Sequence, residues 1–189
     1  MSELPTLDPD LDPALAAAVL EIESHIAERG WDQPGRLYAL VDTAALVRRE
    51  PALASAMGLD EASAAGSLTP VEQEQLPAEQ FESAVAAIAW GPEVTGCAAV
   101  VERLVLPPDA DEAIPEDPAA AAAYASEHPA RQEVRMVVGV TRAGTSYCAL
   151  RLRAHDDDQS VVGGAALVPE LITLLGATLE PMDDLEDEA

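Results

Sequence analysis

Apolar residues first recur at helical spacing at Leu15, Val19, Ile22 and Ile26, with Glu21, Glu23 and Glu28 off the stripe. Asp12 is placed to cap that helix, Pro13 suits its first position, and Gly30 supplies a left-handed stop. After a Trp-Asp-Gln-Pro-Gly loop at 31–35, residues 37–41 read as a short buried strand. Asp42 or Thr43 then caps a second helix, which Pro51 breaks or restarts and Gly58 ends. Residues 59–77, rich in Ser, Gly, Pro and Glu, read as a long connection. A capping box at Thr69 and Glu72 leaves room there for one or two helical turns before Pro77.

The helical period returns over 79–90, with Phe81, Val85, Ile88 and Ala89 on one side, and Gly91-Pro92 stops it. Residues 97–106 are apolar except for Glu102 and Arg103, the mark of a central strand. An acidic, proline-rich loop follows over 107–117. Asp117 and Pro118 then open a short alanine helix over 118–127. The last helix runs from Val168, with Pro169 at its start, to about Thr178.

Between these helices, 131–141 and 145–154 form the clearest hairpin of the chain, and its register can be derived. A two-residue loop would set Met136 opposite Arg151 and mix apolar with charged residues on one face. A three-residue loop, Arg142-Ala143-Gly144, pairs Val140 with Ser146, Val138 with Cys148, Met136 with Leu150 and Val134 with Leu152. Gly144 then supplies the left-handed residue that such loops require. The opposite face, expected to be exposed, carries Arg135 against Arg151 and Glu133 against Arg153. Opposed arginines repel, so an anion is expected beside them. The protein's own carboxylates are the first answer; a bound anion gripped by Arg135, Arg151, Arg153 and Arg103 is the sharper one.

These elements make a single α+β domain over 1–180: a small, mostly antiparallel sheet of about four strands, including the C-terminal hairpin 131–154, covered by helices. Residues 181–189 read as a disordered acidic tail.

Composition narrows the chemistry. Of 189 residues, 35 are acidic and 10 basic, for a net charge of −25. Both halves are acidic, so the charge is not confined to one tail. Such a field repels nucleic acid phosphates and anionic lipid and favours a basic partner or cations. Every basic residue is arginine, which removes a Schiff-base lysine and a P-loop lysine. Aromatic residues make up 3%, leaving few rings to line a large organic pocket. The N-terminal stretch 1–12 has neither the basic nor the apolar region of a signal peptide, and no apolar run reaches the ~18 residues of a membrane helix. A cytoplasmic protein is expected. Cys97 and Cys148 sit in apolar, strand-like segments and are expected to be free, buried thiols.

Motifs with chemistry are scarce. There is no dinucleotide fingerprint, no P-loop, no His-Glu-x-x-His, no Cys-x-x-Cys and no nucleophile elbow. Gly163-Gly164 resembles a phosphate turn only in outline. His155-Asp156-Asp157-Asp158 lacks the glycine and distal glutamate of a calcium loop and reads as a solvated turn. His25 sits at the edge of the first helix stripe and His128 at a helix end, neither with a visible partner. No cofactor and no metal are expected.

Four segments carry a resemblance. They are Leu-Tyr-Ala-Leu-Val-Asp-Thr at 37–43, Ser-Leu-Thr-Pro-Val-Glu-Gln-Glu at 67–74, Ile-Ala-Trp-Gly-Pro-Glu-Val-Thr-Gly-Cys-Ala at 88–98, and Val-Val-Glu-Arg-Leu-Val-Leu-Pro-Pro at 100–108. Together they resemble an uncharacterised family of actinobacterial proteins, over roughly residues 10 to 180. The resemblance implies a bacterial cytoplasmic protein and carries no reaction or ligand with it.

Two functions stay open. The first is a non-catalytic interaction or accessory domain, acting on a protein partner or on itself. The second is a small-anion or metabolite-binding domain, possibly an enzyme, using the arginines above. The reading points away from an enzyme, from nucleic acid and from membranes. One prediction follows from charge: the protein passes through an immobilised nucleic-acid column at physiological salt without retention. Retention there would show a basic face that the composition does not provide.

Overall fold

The structure is a computed structural model that describes residues 11–181. In chain order its elements are α1 (Pro13–Ala27), β1 (Arg36–Asp42), α2 (Thr43–Arg49), α3 (Pro51–Ala56), α4 (Glu61–Ala64), β2 (Leu68–Glu72), α5 (Phe81–Ala86), β3 (Val94–Val105), α6 (Pro118–Glu127), β4 (Gln132–Thr141), β5 (Ser146–Leu152), β6 (Val162–Gly164) and α7 (Pro169–Leu179). The six strands form one antiparallel sheet in the order β2-β1-β3-β4-β5-β6.

The caps fall where the residues put them. Asp12 Oδ1 accepts from the amides of Ala14 and Leu15, both at 3.1 Å, Asp42 caps α2, and Asp117 caps α6. Gly30 and Gly144 take positive φ, at 81° and 85°. The β4–β5 register is the three-residue-loop one: Val140 faces Ser146, Val138 faces Cys148, Met136 faces Leu150 and Arg135 faces Arg151.

The sheet has six strands rather than about four, and both additions lie at its edges. Residues 68–72, expected to be connection or a helical turn, instead pair with β1 as β2, with Pro70 opposite Leu40. An edge strand tolerates proline because its outward N–H has no ladder partner. The Thr69 hydroxyl bonds that of Thr43 at 2.8 Å instead of capping a helix. The Gly163-Gly164 pair belongs to β6, where Gly163 faces Ala149.

Both faces of the sheet are covered, so the expectation of an exposed hairpin face is corrected. On one side α5 and α7 bury Phe81, Val85, Leu171, Leu175 and Leu179 against Leu37, Ala39, Cys97, Ala99, Val101, Val138, Val140 and Cys148. On the other, α1 lays Leu15, Ala18, Val19, Ile22 and Ile26 over Tyr38, Leu40, Ala98, Val100, Val137 and Ala149. Gly139 permits this second packing. A Cβ there would lie 2.6 Å from Val19 Cγ2 and 2.9 Å from Leu15 Cδ1, and both side chains are fully buried. The far end of α7 is clamped by Arg142, whose guanidinium donates to the carbonyls of Leu179, Trp90, Gly91 and Val94.

Among the α-helices of the described residues, α6 stands apart in burying none of its residues. It sits in the 26-residue connection between β3 and β4, which also carries the exposed Ile114 and follows the exposed Leu104 and Val105 at the end of β3. A helix of ten residues is too short to be stable on its own, since isolated helices below about 12–15 residues are marginal in water.

Two outcomes follow. Gly139→Val drives a branched side chain into Val19 and Leu15, and is expected to cost about 1–3 kcal/mol in a denaturant titration. The second concerns Cys97, fully buried, whose thiol burial pushes up to about 11 from 9.0. The unfolded chain therefore loses that proton first, and stability falls as pH rises from about 9 to 11, by up to about 1.4 kcal/mol per pH unit for this group. Cys97→Ala is expected to flatten the fall, and an unchanged slope in the variant would remove Cys97 as its source.

Candidate functional site

The same face of the sheet that carries α1 ends in a band of charge. Alternation along each strand puts Arg36 on β1, Glu102 on β3, Arg135 on β4 and Arg151 on β5 on this side, just beyond the apolar rows. Glu102 is the cross-strand partner of Arg135, and Arg135 that of Arg151. Two guanidiniums side by side need compensation, and α1 with its following loop supplies it.

Arg151 is 2% exposed and Glu23, from α1, 3%. The Glu23 carboxylate takes both sides of the fork, accepting from Nε and, at 3.0 Å, from Nη2. Asp158 and Asp156 complete the shell at 2.7 and 3.2 Å. These bonds, Glu23 foremost, raise the pKa of Arg151 and keep it charged despite burial.

Arg135 is 0% exposed. It donates to Glu102 Oε1 from Nε and Nη2, at 3.2 and 2.9 Å, and to the carbonyl of Gly30 just past the end of α1. Its guanidinium stacks 4.4 Å from the centre of the Trp31 ring. The other Glu102 oxygen accepts the amides of Asp32 and Gln33 at 2.8 and 3.2 Å, so one carboxylate ties β4 to the loop. Trp31 Nε1 donates to Asp156 at 3.0 Å. Asp32 adopts φ 62°, a left-handed conformation that aspartate tolerates, and its carboxylate takes Arg153 in a fork at 3.0 and 3.1 Å. Arg153, half exposed, also pairs with Glu133 and lies 5.6 Å from the Trp31 ring.

The structure thus brings three of the four expected arginines together around Trp31. Arg103 is excluded: as the neighbour of Glu102 it points to the opposite face, where it pairs with Glu82 of α5. None of the four lies unpaired. Around Trp31, three guanidiniums are met by six carboxylates: Glu102; Glu23, Asp156 and Asp158; Asp32 and Glu133. Within the described residues the three guanidiniums are thus met by an excess of the chain's own negative charge. The expected carboxylates are Glu23, Asp32, Glu102, Asp156 and Asp158, joined by Glu133 and packed around Trp31. Their signal was the demand for an anion beside two opposed arginines, with Glu23 adjoining the buried Ile22.

Farther along the same face, Arg36 pairs with Glu72 of β2, its partner across the edge. Arg29 approaches the other Glu72 oxygen at 3.9 Å and donates to His25 Nε2 at 3.0 Å. Tyr38, opposite Glu72 in the register, is 4% exposed, and its hydroxyl has no hydrogen-bond partner among the described residues. Burial first, and then the Glu72 charge, push the phenol up to about 12. Tyr38, Glu72 and Pro70 line a cleft of about 230 Å³ against Glu21, Ile22 and His25 of α1. Among the described residues no group of three His, Cys, Asp or Glu side chains could hold a metal ion, and no helix is long and apolar enough to cross a membrane.

The ion network has a measurable strength. Glu23→Ala leaves Arg151 buried with only its two outer carboxylates, and is expected to cost about 3 kcal/mol in denaturant unfolding. The double variant Glu23→Met/Arg151→Met, which removes both charges, is expected to recover most of that loss. Equal losses in single and double variants would show that packing, and not charge, sets the cost.

Comparison with curated proteins and with solved structures gives no match. One family model does match, described as PPA1309-like protein, over residues 15–180. That span runs from the first turn of α1 to the residue after α7 and so takes in the whole sheet, the ion network and the Tyr38 cleft. The chain belongs to the PPA1309-like protein family.

Proposed function

We propose that the protein is a non-catalytic, cytoplasmic interaction domain, and that the β3–β4 connection carrying α6 is its docking surface for a basic protein. The observation that carries this reading is that α6 buries none of its residues. A ten-residue helix gains most of its stability from packing, and α6 sets only the half-buried Ala121, Tyr124 and Ala125 against the rest of the chain, which leaves its other faces for an outside partner. Leu104 and Val105, exposed on opposite faces of the end of β3, and the exposed Ile114 are apolar residues of the same segment. Exposed Asp111, Glu112 and Glu116 add negative charge to it. Charge complementarity selects the occupant: apolar side chains flanked by Lys or Arg. A second copy of the chain is disfavoured, because each copy carries −25. The arginines support the same reading, since each guanidinium around Trp31 is already met by carboxylates of the chain itself.

A photo-crosslinking residue at the exposed Ala122 of α6, with a control at the exposed Ala177 of α7, tests the reading in cells that naturally make the protein. The expected result is a discrete adduct from position 122 with a protein of net positive charge, absent from position 177 and lost in a Leu104→Asp background. An adduct of twice the chain's own mass, or equal labelling from both positions, would overturn it.

A further inference from the structure

We infer that the cleft between α2 and the start of β3 binds a free basic α-amino acid, a zwitterion with a second ammonium on a short aliphatic side chain. The site is independent of the α6 surface. Its first wall comes from the sheet. Val41 and Asp42 end β1, and Glu93 immediately precedes Val94, the β3 residue paired with Val41. Its second wall is α2 and the residue after it. Ala45 lies four residues from Arg49, and Leu46 four from Glu50, so the two pairs share one helix face.

The half-buried Val41, Ala45 and Leu46 give an apolar surface fit to hold a short aliphatic chain. Asp42, Arg49, Glu50 and Glu93 are the charged, exposed part of the lining. One guanidinium against three carboxylates leaves that lining at a net −2. Asp42 is engaged at the α2 cap, where it accepts the Ala45 amide at 3.0 Å. Among the described residues, Arg49, Glu50 and Glu93 form no ion pair with one another or with any other group. This sets Arg49 apart. Arg36, Arg103, Arg135, Arg151 and Arg153 are each held by a carboxylate, and Arg142 by four main-chain carbonyls. Opposite charges that line one cleft without touching leave a gap for a ligand that carries both signs.

The open groups select that ligand. Arg49 can only donate and calls for a carboxylate. Glu50 and Glu93 can only accept and call for N–H donors, of which an ammonium brings three. A simple anion would meet a lining at −2, and an alkylamine would leave Arg49 open. A neutral amino acid brings one ammonium for two carboxylates. Lysine, or its shorter homologue ornithine, meets all three groups and is itself a net cation, which the field of a chain at −25 concentrates at its surface. The cleft, at about 250 Å³, takes a single amino acid.

The probe is L-lysine, and the readout is the melting temperature of the full chain at fixed pH and ionic strength. Two truncated probes divide the chemistry: 1,5-diaminopentane lacks the carboxylate, and L-norleucine lacks the side-chain ammonium. The expected result is a saturable rise with L-lysine, at concentrations where the truncated probes and sodium chloride give less. Arg49→Gln is expected to weaken L-lysine about tenfold and not to weaken 1,5-diaminopentane. Glu93→Gln is expected to weaken both about tenfold, the loss of one hydrogen bond between charged groups. Glu170→Gln, exposed on α7, is expected to change neither. Arg49 and Glu93 are exposed, so both variants are expected to melt as wild type does without ligand. Nα-acetyl-L-lysine stands in for a lysine at a peptide C-terminus and is expected to bind more weakly than the free amino acid; equal binding would overturn the assignment to a free amino acid. The absence of a saturable rise with L-lysine would overturn the inference, as would an equal rise with 1,5-diaminopentane or a lysine effect undiminished in Arg49→Gln and Glu93→Gln.

Discussion

Docking of α1 across the second face of the sheet is the contact on which the rest of this structure depends. It requires close approach, and Gly139 provides it, because any side chain there would meet Val19 and Leu15. Once the helix lies down, Val137, Ala149, Ala98 and Val100 are sealed from water, and the sheet becomes the middle of three layers. The same event buries Arg135 and Arg151, so it must also provide their counter-charges. Glu23 does this from the helix itself. Glu102 does it from the sheet while holding the loop after α1 through the amides of Asp32 and Gln33.

The ion network and the apolar packing are therefore one arrangement. A helix shifted by one turn would move Glu23 away from Arg151 and Val19 away from Gly139 together, leaving a buried charge and a clash at once. Charge pairing of this kind adds little net stability over a hydrophobic equivalent. What it contributes here is position: one placement of α1, and one conformation of the loop carrying Trp31, bring each guanidinium of the cluster to a carboxylate, with Arg135 Nη1 left without a hydrogen-bond partner among the described residues.

Two margins of the layers are less tightly fixed. At the β1–β2 edge, Glu21, Ile22 and His25 of α1 face Tyr38, Pro70 and Glu72 across a cleft. At the projecting end of β3, the chain makes α6 without giving it a core.

Much of this architecture was legible in the residues. The caps at Asp12 and Asp117, the stops at Gly30 and Gly144, the helix stripe of α1 and the β4–β5 register follow from local geometry and from period-two or period-3.6 patterning, which needs no tertiary information. So does the antiparallel α+β class. Three features did not follow. The edge strands β2 and β6 are made by backbone pairing with strands already in place, and backbone hydrogen bonds leave no side-chain pattern in short segments containing Pro70 or Gly163-Gly164. The covered second face was written in Val137, Gly139 and Ala149, but two arginines on that face argued for solvent. Glu102 lies 33 residues from Arg135 and Glu23 lies 128 residues from Arg151, distances across which composition promises carboxylates in abundance and only the tertiary packing selects which ones meet. The sequence by itself determined the local elements, the register and the acidic surface, because those are set by neighbours and by counts. The tertiary structure decided which charges are buried and which cleft stays open, because burial is a property of what packs on top.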